Sequence, residues 1–341
     1  MSEISVLGVD LGKSVIHVHG VDRHGKAVLS RRYTRAKFRS FVLRLAPCVV
    51  GMECGGGSQY WARLARSVGH DARLMPPQYV KPYVQRNKND WRDAQAVCEA
   101  VQRPTMRFVT VKTLEQHQLQ MLHRVRSRVL GQRTALVNQV RGFLLEFGVA
   151  VSCGRRKLLN QLPELLDAGE AELTDVDRGL LWELYEELLG LEARMAELDE
   201  RIAREARAHE PCQRLREVPG IGPVVSTALL ASAGDAREFA SARHFSASLG
   251  LVPRQHSTGG RSRLFGISKR GDKYLRTQLI HGARAFLRVA ARRDDRLARW
   301  AVTVQERRGT NVAIVAVANK LARIAWVLLA RGERYALPAL A

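Results

Sequence analysis

Over the first hundred residues the apolar positions fall in short runs with polar breaks, as strands require. Runs at 4–9, 15–21 and 27–33 are separated by Gly12-Lys13 and by Arg23-His24-Gly25-Lys26, a hairpin-type turn. The spacing then predicts a helix over 36–45, a strand over 48–52, a helix over 58–68 and a short strand over 72–75 stopped by Pro76-Pro77. Another helix is expected over 90–102. Further along, Leu122, Val125, Val129, Leu136, Val140, Phe143 and Phe147 mark one stripe of a long helix over 114–147. Leu181, Leu184, Leu188, Leu191, Met195, Leu198 and Ile202 then alternate in steps of three and four. That heptad seam predicts a coiled coil, formed with a preceding helix or between subunits, although a helix packed on its own domain would show the same stripe. Residues 311–330 read as an amphipathic closing helix.

The order βββαβαβα followed by helices predicts an α/β plus α chain whose N-terminal part is ribonuclease-H-like. We divide it into residues 1–110, a central 111–210 comprising a basic helix and an acidic coiled coil, and a mainly helical 211–341.

Charge adds a partner to this picture. Lys and Arg number 55 against 33 Asp and Glu, a net charge of +22, which points to a polyanion, nucleic acid before membrane. The charge is unevenly placed. Residues 103–157 carry +9, 164–205 carry −10, and 237–308 carry +12. In the first block Arg124, Arg126, Arg128, Arg133 and Arg141 lie on one helix without interleaved acids, the pattern expected of a phosphate-backbone contact. The five cysteines show no Cys-x-x-Cys spacing, so neither a zinc site nor a disulfide framework is expected, and a reducing cytoplasm fits. With no apolar signal region and no uncharged apolar run of about 18 residues, no membrane partner is expected.

Candidate chemistry gathers at two places. Asp10 and Glu53 end predicted strands, and Asp90 and Asp93 are three apart on a predicted helix, so they share a face. Converging carboxylates repel one another, and a divalent cation neutralises such a cluster. Oxygen-only ligands select Mg²⁺ or Mn²⁺, and a pair of such ions serves in-line attack at a phosphodiester. Gly8-Val9-Asp10-Leu11-Gly12-Lys13-Ser14 could instead be the phosphate loop of an actin-like sugar kinase. That reading lacks a second Asp-x-Gly on a later strand, since Asp167-Ala168-Gly169 has no strand before it.

The second place is the basic stretch Pro253-Arg254-Gln255-His256-Ser257-Thr258-Gly259-Gly260-Arg261 with Arg263, Lys269, Arg270, Lys273 and Arg276 after it. A flexible Gly-rich loop is expected here. Its arginines would screen a phosphate approached by the Ser257 hydroxyl, with Ser262 and Ser268 as competitors of similar chemistry, or the loop would bind phosphate and carry an ordinary serine, the reading that the residues alone favour. Upstream, Pro219-Gly220-Ile221-Gly222 between two helices looks like a helix-hairpin-helix turn. The Gly220 and Gly222 amides would hold a DNA phosphate, or the turn would serve packing alone.

Taken together, these motifs resemble the insertion sequence 110 family of DEDD transposases, relatives of the Piv-type invertases. The resemblance rests on Gly-Val-Asp10-Leu-Gly-Lys, Met-Glu53 and Asn-Lys-Asn-Asp90-Trp-Arg-Asp93-Ala, which look like that family's RuvC-like domain. It rests also on Val-Pro-Gly-Ile-Gly, Gly-Leu-Val-Pro253-Arg-Gln-His-Ser257-Thr-Gly-Gly and Ile-Ser-Lys-Arg-Gly271-Asp-Lys-Tyr-Leu-Arg276, which look like its C-terminal transposase domain. Thr258 departs from the pattern, because many relatives have Gly directly after the serine. The resemblance implies a metal quartet of Asp10, Glu53, Asp90 and Asp93, and a Ser257 nucleophile that forms a transient phosphoserine link. It also implies a structured guide RNA pairing with donor and target DNA, and dimers that assemble to tetramers. A RuvC-like resolvase cutting by two-metal hydrolysis is the alternative enzyme, and a nucleic-acid-binding scaffold the non-enzymatic one.

Overall fold

The computed structural model describes residues 3–84, 89–167 and 172–336. Asn87-Lys88 of the acidic motif and Ala168-Gly169 of the second Asp-x-Gly lie outside these residues. Contacts divide the chain into two units, one of Met1–Gln116 with Ala233–Glu238 and one of His117–Ser232 with Phe239–Ala341.

In the first unit, β1 (Val6–Leu11), β2 (Val15–Val21) and β3 (Ala27–Thr34) form an antiparallel meander. Helix α1 (Arg35–Arg44) then leads to β4 (Val49–Glu53), and α2 (Ser58–Ser67) to β5 (Asp71–Met75). Both later strands run parallel to β1, giving the order β3-β2-β1-β4-β5. Alternation along each strand separates two cores. Leu7, Val9, Ile16, Val18, Val50 and Met52 pack with Phe38, Val42, Trp61 and Ala65 of α1 and α2. Val6 and Val21 face the other way, toward Val97, Cys98 and Val101 of α4 (Asp90–Val101), which follows a short helix α3 (Pro77–Val80) and a 3₁₀ turn.

Two glycines set how closely α4 lies. Gly8 and Gly51 are register partners on β1 and β4. A Cβ at Gly8 would lie 2.3 Å from the Ala94 carbonyl oxygen and 2.4 Å from the Cys98 nitrogen, and one at Gly51 would lie 2.8 Å from Val101 Cβ. The sheet thus has a flat seat on which the helix backbone rests at Gly8 and the Val101 side chain at Gly51. A remote segment completes the unit. Thr110 Oγ1 donates to Glu238 Oε2 at 2.6 Å, and Gln116 Nε2 to the Gly234 carbonyl at 3.0 Å.

The second unit is helical apart from one hairpin. Helix α5 (Leu114–Glu146) and α7 (Asp175–Ala208), joined through α6 (Arg155–Asp167), share apolar clusters. Leu136, Val140 and Leu144 pack with Leu158, Leu162, Leu181 and Leu188, and Val129 packs with Met195 and Leu198. Arg126 of α5 pairs with Asp199 of α7 at 2.5 Å, and Arg133 with Glu192 at 3.3 Å. Seven residues forward on one helix meet seven back on the other, so the two run antiparallel. The heptad seam therefore packs inside the chain on the preceding basic helix. Next come α8 (Glu210–Arg216), α9 (Pro223–Ala233) and, after the 3₁₀ turn at Ala236–Glu238 that belongs to the first unit, α10 (Ala242–Ser248). The hairpin β6 (Pro253–Thr258) and β7 (Arg261–Ile267) follows, then α11 (Lys273–Ala290), α12 (Arg296–Arg308) and α13 (Thr310–Arg331). Helix α13 is long and apolar enough to cross a bilayer. It is the central helix here, burying Ala313, Val317, Ala318, Leu321, Ala322 and Ala325.

A buried polar chain ties α5 to α9 and α11. Thr227 Oγ1 donates to the Pro223 carbonyl at 2.7 Å, so it must accept from His123 Nε2 at 3.0 Å. The other ring nitrogen, Nδ1, then accepts from the Tyr274 hydroxyl at 2.8 Å, and Arg126 bonds to that hydroxyl in turn. Burial and the nearby Arg126 push the His123 pKa down to about 4, which keeps the ring neutral and the chain intact.

Two predictions follow from this architecture. Gly8→Ala should lift α4 from the sheet and cost about 1–3 kcal/mol or more, as overpacking does; an unchanged urea midpoint would show that no seat exists. His123 holds protons less tightly folded than unfolded, so its contribution to stability is intact above pH 6.5 and is lost as pH falls toward 4. Between pH 7 and pH 5 wild type should lose roughly 2 kcal/mol more than His123→Gln, measured by denaturant midpoints at both pH values; equal losses would contradict the buried neutral ring.

Candidate functional site

The pleat that makes the seat also aims the acids. Asp10 lies two residues beyond Gly8, and Glu53 two beyond Gly51, so both project from the face that α4 covers. They stand one step past the last register pair, Val9↔Met52. Helix α4 begins at Asn89, whose side chain accepts from the Trp91 amide at 3.0 Å, and Asp90 and Asp93 fall in its first turn. Amides exposed at that end favour negative charge. Asp10, Asp90 and Asp93 each offer an oxygen, all within 4.8 Å of one another. Glu53, half-buried on the same face, lies outside this group of three. The structure thus brings three of the four expected acids together and sets the fourth at the neighbouring strand end. Oxygen-only and partly fixed by a helix terminus, with Asp10 and Asp93 half-buried and Asp90 exposed, the set fits a hard divalent cation.

One neighbour was not foreseen. His17 on β2 is the register partner of Asp10 and is buried, with Nδ1 3.8 Å from Asp90 Oδ2. Its ring meets Trp91 edge-on at 4.8 Å. Only the antiparallel register, counted through the Gly12-Lys13 turn, could have placed it there.

Ser257 sits on a strand, not in the flexible loop expected from its glycines. Gly259 and Gly260, with φ of 54° and 75°, make a tight two-residue turn, as paired left-handed residues do between strands. Thr258↔Arg261, Ser257↔Ser262 and His256↔Arg263 face one another across the ladder. Gln255 Nε2 donates to Ser257 Oγ at 2.7 Å. No residue from Pro253 to Gly266 is buried. The hairpin's base is tightly built. A Cβ at Gly250 would meet the Arg270 carbonyl oxygen at 2.3 Å, and one at Gly271 would overlap the Ser248 carbonyl oxygen. The Ser268 amide donates to the Val252 carbonyl. Asp272 caps α11, accepting from the Leu275 amide and the Ser232 hydroxyl, each at 2.9 Å.

Several basic positions turn out differently from expectation. Arg276 is buried and donates to the Leu249 and Arg270 carbonyls at 2.8 and 3.1 Å, so it clamps the hairpin base; this corrects its reading as a phosphate contact. On α5, Arg126 and Arg133 are taken up by Asp199 and Glu192, and Arg141 by the Ser152 and Gly154 carbonyls. The acids missing from the basic helix come from α7, which the helix's own charge pattern could not reveal. Arg124 and Arg128 stay exposed, as do Arg254, Arg261, Arg263, Lys269, Arg270 and Lys273. A Cβ at Gly220, at φ 91°, would lie 3.0 Å from the Gly282 carbonyl oxygen and 3.3 Å from Leu321 Cδ1, so a glycine there serves packing, whereas a Cβ at Gly222 would meet nothing.

With this geometry in view, the chain can be set beside known proteins. A family model described as Transposase, of the DEDD type, matches residues 7–148, which hold all four acids. A second, described as Transposase IS116/IS110/IS902 family, matches residues 212–298, which hold the hairpin. A probable family 20 transposase of Pseudomonas aeruginosa is 51% identical, over 97% of this chain and 98% of its own. The transposase for insertion sequence element IS1111A of Coxiella burnetii is 44% identical, over 98% and 92%. That for IS1328 of Yersinia enterocolitica is 40% identical, over 97% and 98%. A DEDD-type domain with clustered Asp10, Asp90 and Asp93 accords with dependence on a divalent metal. The chain therefore belongs to the IS116/IS110/IS902 family and is an insertion-sequence transposase.

Proposed function

We propose that the protein excises and inserts its element by serine-linked strand exchange, with Asp10, Glu53, Asp90 and Asp93 holding Mg²⁺ or Mn²⁺. The observation that carries the metal half of this reading is the convergence of three carboxylates at one helix terminus. Bound there, the metal would supply positive charge to a phosphodiester and polarise its oxygens. Ser257 Oγ forms a bond to phosphorus as the bridging P–O bond breaks, and the departing oxygen takes up a proton. The reverse attack by a free hydroxyl of another end restores the serine and joins the new strand. Exposure of Ser257 on a ribbon with a rigid base suits a nucleophile that must reach into nucleic acid.

The exposed cations Arg124, Arg128, Arg254, Arg261, Arg263, Lys269, Arg270 and Lys273 would neutralise backbone phosphates, and the Gly222 amide would hold another. We read the α5–α7 pair as the coiled coil of the central part. In this reading an element-encoded guide RNA selects donor and target DNA, and dimers assemble to tetramers in the cytoplasm. Carboxylates of one subunit then complete the serine site of another. Hydrolysis by two metals without a covalent intermediate is the competing mechanism, because the acid cluster alone would support it.

Two substitutions test the reading. Asp10→Asn should reduce strand cleavage at least a hundredfold while leaving nucleic-acid binding within about twofold; a variant that cuts normally would remove the metal site from the reaction. Labelled element-junction DNA incubated with wild type, Mg²⁺ and RNA transcribed from the element's flank should yield a slow, protease-sensitive band on a denaturing gel. Ser257→Ala should yield none, and equal cleavage by both proteins with no adduct would favour hydrolysis.

A further inference from the structure

The hairpin has two chemically different faces. Successive residues of a strand point to opposite sides, so the pairs Ser257↔Ser262 and Gln255↔Leu264 occupy one face. The pairs His256↔Arg263 and Thr258↔Arg261 occupy the other. Contacts within each face agree: Gln255 bonds to Ser257, while the Arg254 and Arg263 guanidinium groups each lie 5.1 Å from the Phe265 ring centre. The arginines expected to screen a phosphate at Ser257 thus stand largely behind it. Residues 253–267 contain no acid, and among the described residues no carboxylate pairs with Arg254, Arg261 or Arg263.

A ribbon with no buried side is marginal alone in water, and this one is held only at its base. Its cationic face has features of a built surface. An aromatic ring holds two guanidinium groups, which limits the freedom they lose on meeting an anion. Arg261 and Arg263 stand about 6.6 Å apart along β7, close to the separation of consecutive phosphates in an extended strand. Charge and spacing together match a sugar-phosphate backbone.

We propose that β6–β7 is a two-sided ribbon that lies between two DNA strands. The face of Ser257, Ser262 and Gln255 meets the strand to be cut, and the face of Arg254, Arg261, Arg263 and Phe265 holds the backbone of its complement. We take the second occupant to be DNA because the complement of the attacked strand would lie on the far side of the ribbon. This rests on the reading of Ser257 as the nucleophile. It follows that the serine face brings no cation of its own, and charge at the scissile phosphate is met from outside the hairpin.

The test is disulfide trapping on the full-length chain in a Cys153→Ser background, which removes the exposed thiol. The probe is a forked element-junction duplex carrying thiol tethers and a different label on each strand. Ser262→Cys should capture one strand and His256→Cys the other, each with at least a tenfold preference. Capture of the same strand at both positions, or of neither preferentially, would overturn the inference, as would RNA of the same sequence outcompeting DNA at His256→Cys. The double variant Arg254→Ala/Arg263→Ala should bind the fork at least tenfold more weakly and reduce the salt slope of binding by about 2; an unchanged slope counts against it. Strand sorting without any Ser257-linked adduct would sink the nucleophile and leave the ribbon standing. An adduct formed without sorting would do the reverse.

Discussion

Much of this molecule depends on one contact, α4 resting with its backbone on Gly8 and with the Val101 side chain on Gly51. Side chains on both surfaces keep the backbone of an ordinary helix off the sheet beneath it. Here two adjacent strands lack Cβ atoms at register-matched positions, so the helix backbone comes down onto the sheet at Gly8 while Val101 packs over Gly51. Its first turn is thereby brought level with the strand ends, and Asp90 and Asp93 meet Asp10. Carboxylates at such distances repel, and nothing in the acids themselves holds them together. The convergence is imposed by packing several residues away, where Val97, Cys98 and Val101 are buried.

That arrangement was largely legible in the sequence, for a physical reason. Strands with alternating burial and helices with one apolar stripe leave strong periodic marks, and the first unit is built almost wholly from such elements. The predicted strand ends at Asp10 and Glu53 and the predicted start of a helix at Asp90 fix the acids in advance. The seat itself was not read, because a glycine in a strand signals only that something comes close, not what. His17 escaped as well, since its place beside Asp10 depends on register across a turn and not on any local pattern.

The second unit was harder to read where its contacts are long-range. The seam of α7 was plain, but the acids that meet Arg126 and Arg133 of α5 lie 73 and 59 residues further along the chain. A helix's own charge pattern is silent about acids that arrive from elsewhere. The hairpin misled in the opposite sense. Two adjacent glycines read as looseness, yet residues that both adopt positive φ build the tightest turn a ribbon can have. Arg276 looked like one more cation in a basic tract, and only its burial separates it from its exposed neighbours.

The pairing along α5 and α7 also bears on what the net charge of +22 measures. An arginine facing water gathers a loose cloud of small anions, and these are set free when a polyanion takes their place. Arg126, Arg133 and Arg155 have carboxylates from α7 standing where that cloud would be. Nothing mobile is waiting to be released from them. Along this arm the chain carries its own counter-ions, and the entropy gained on meeting nucleic acid belongs to the arginines that have none.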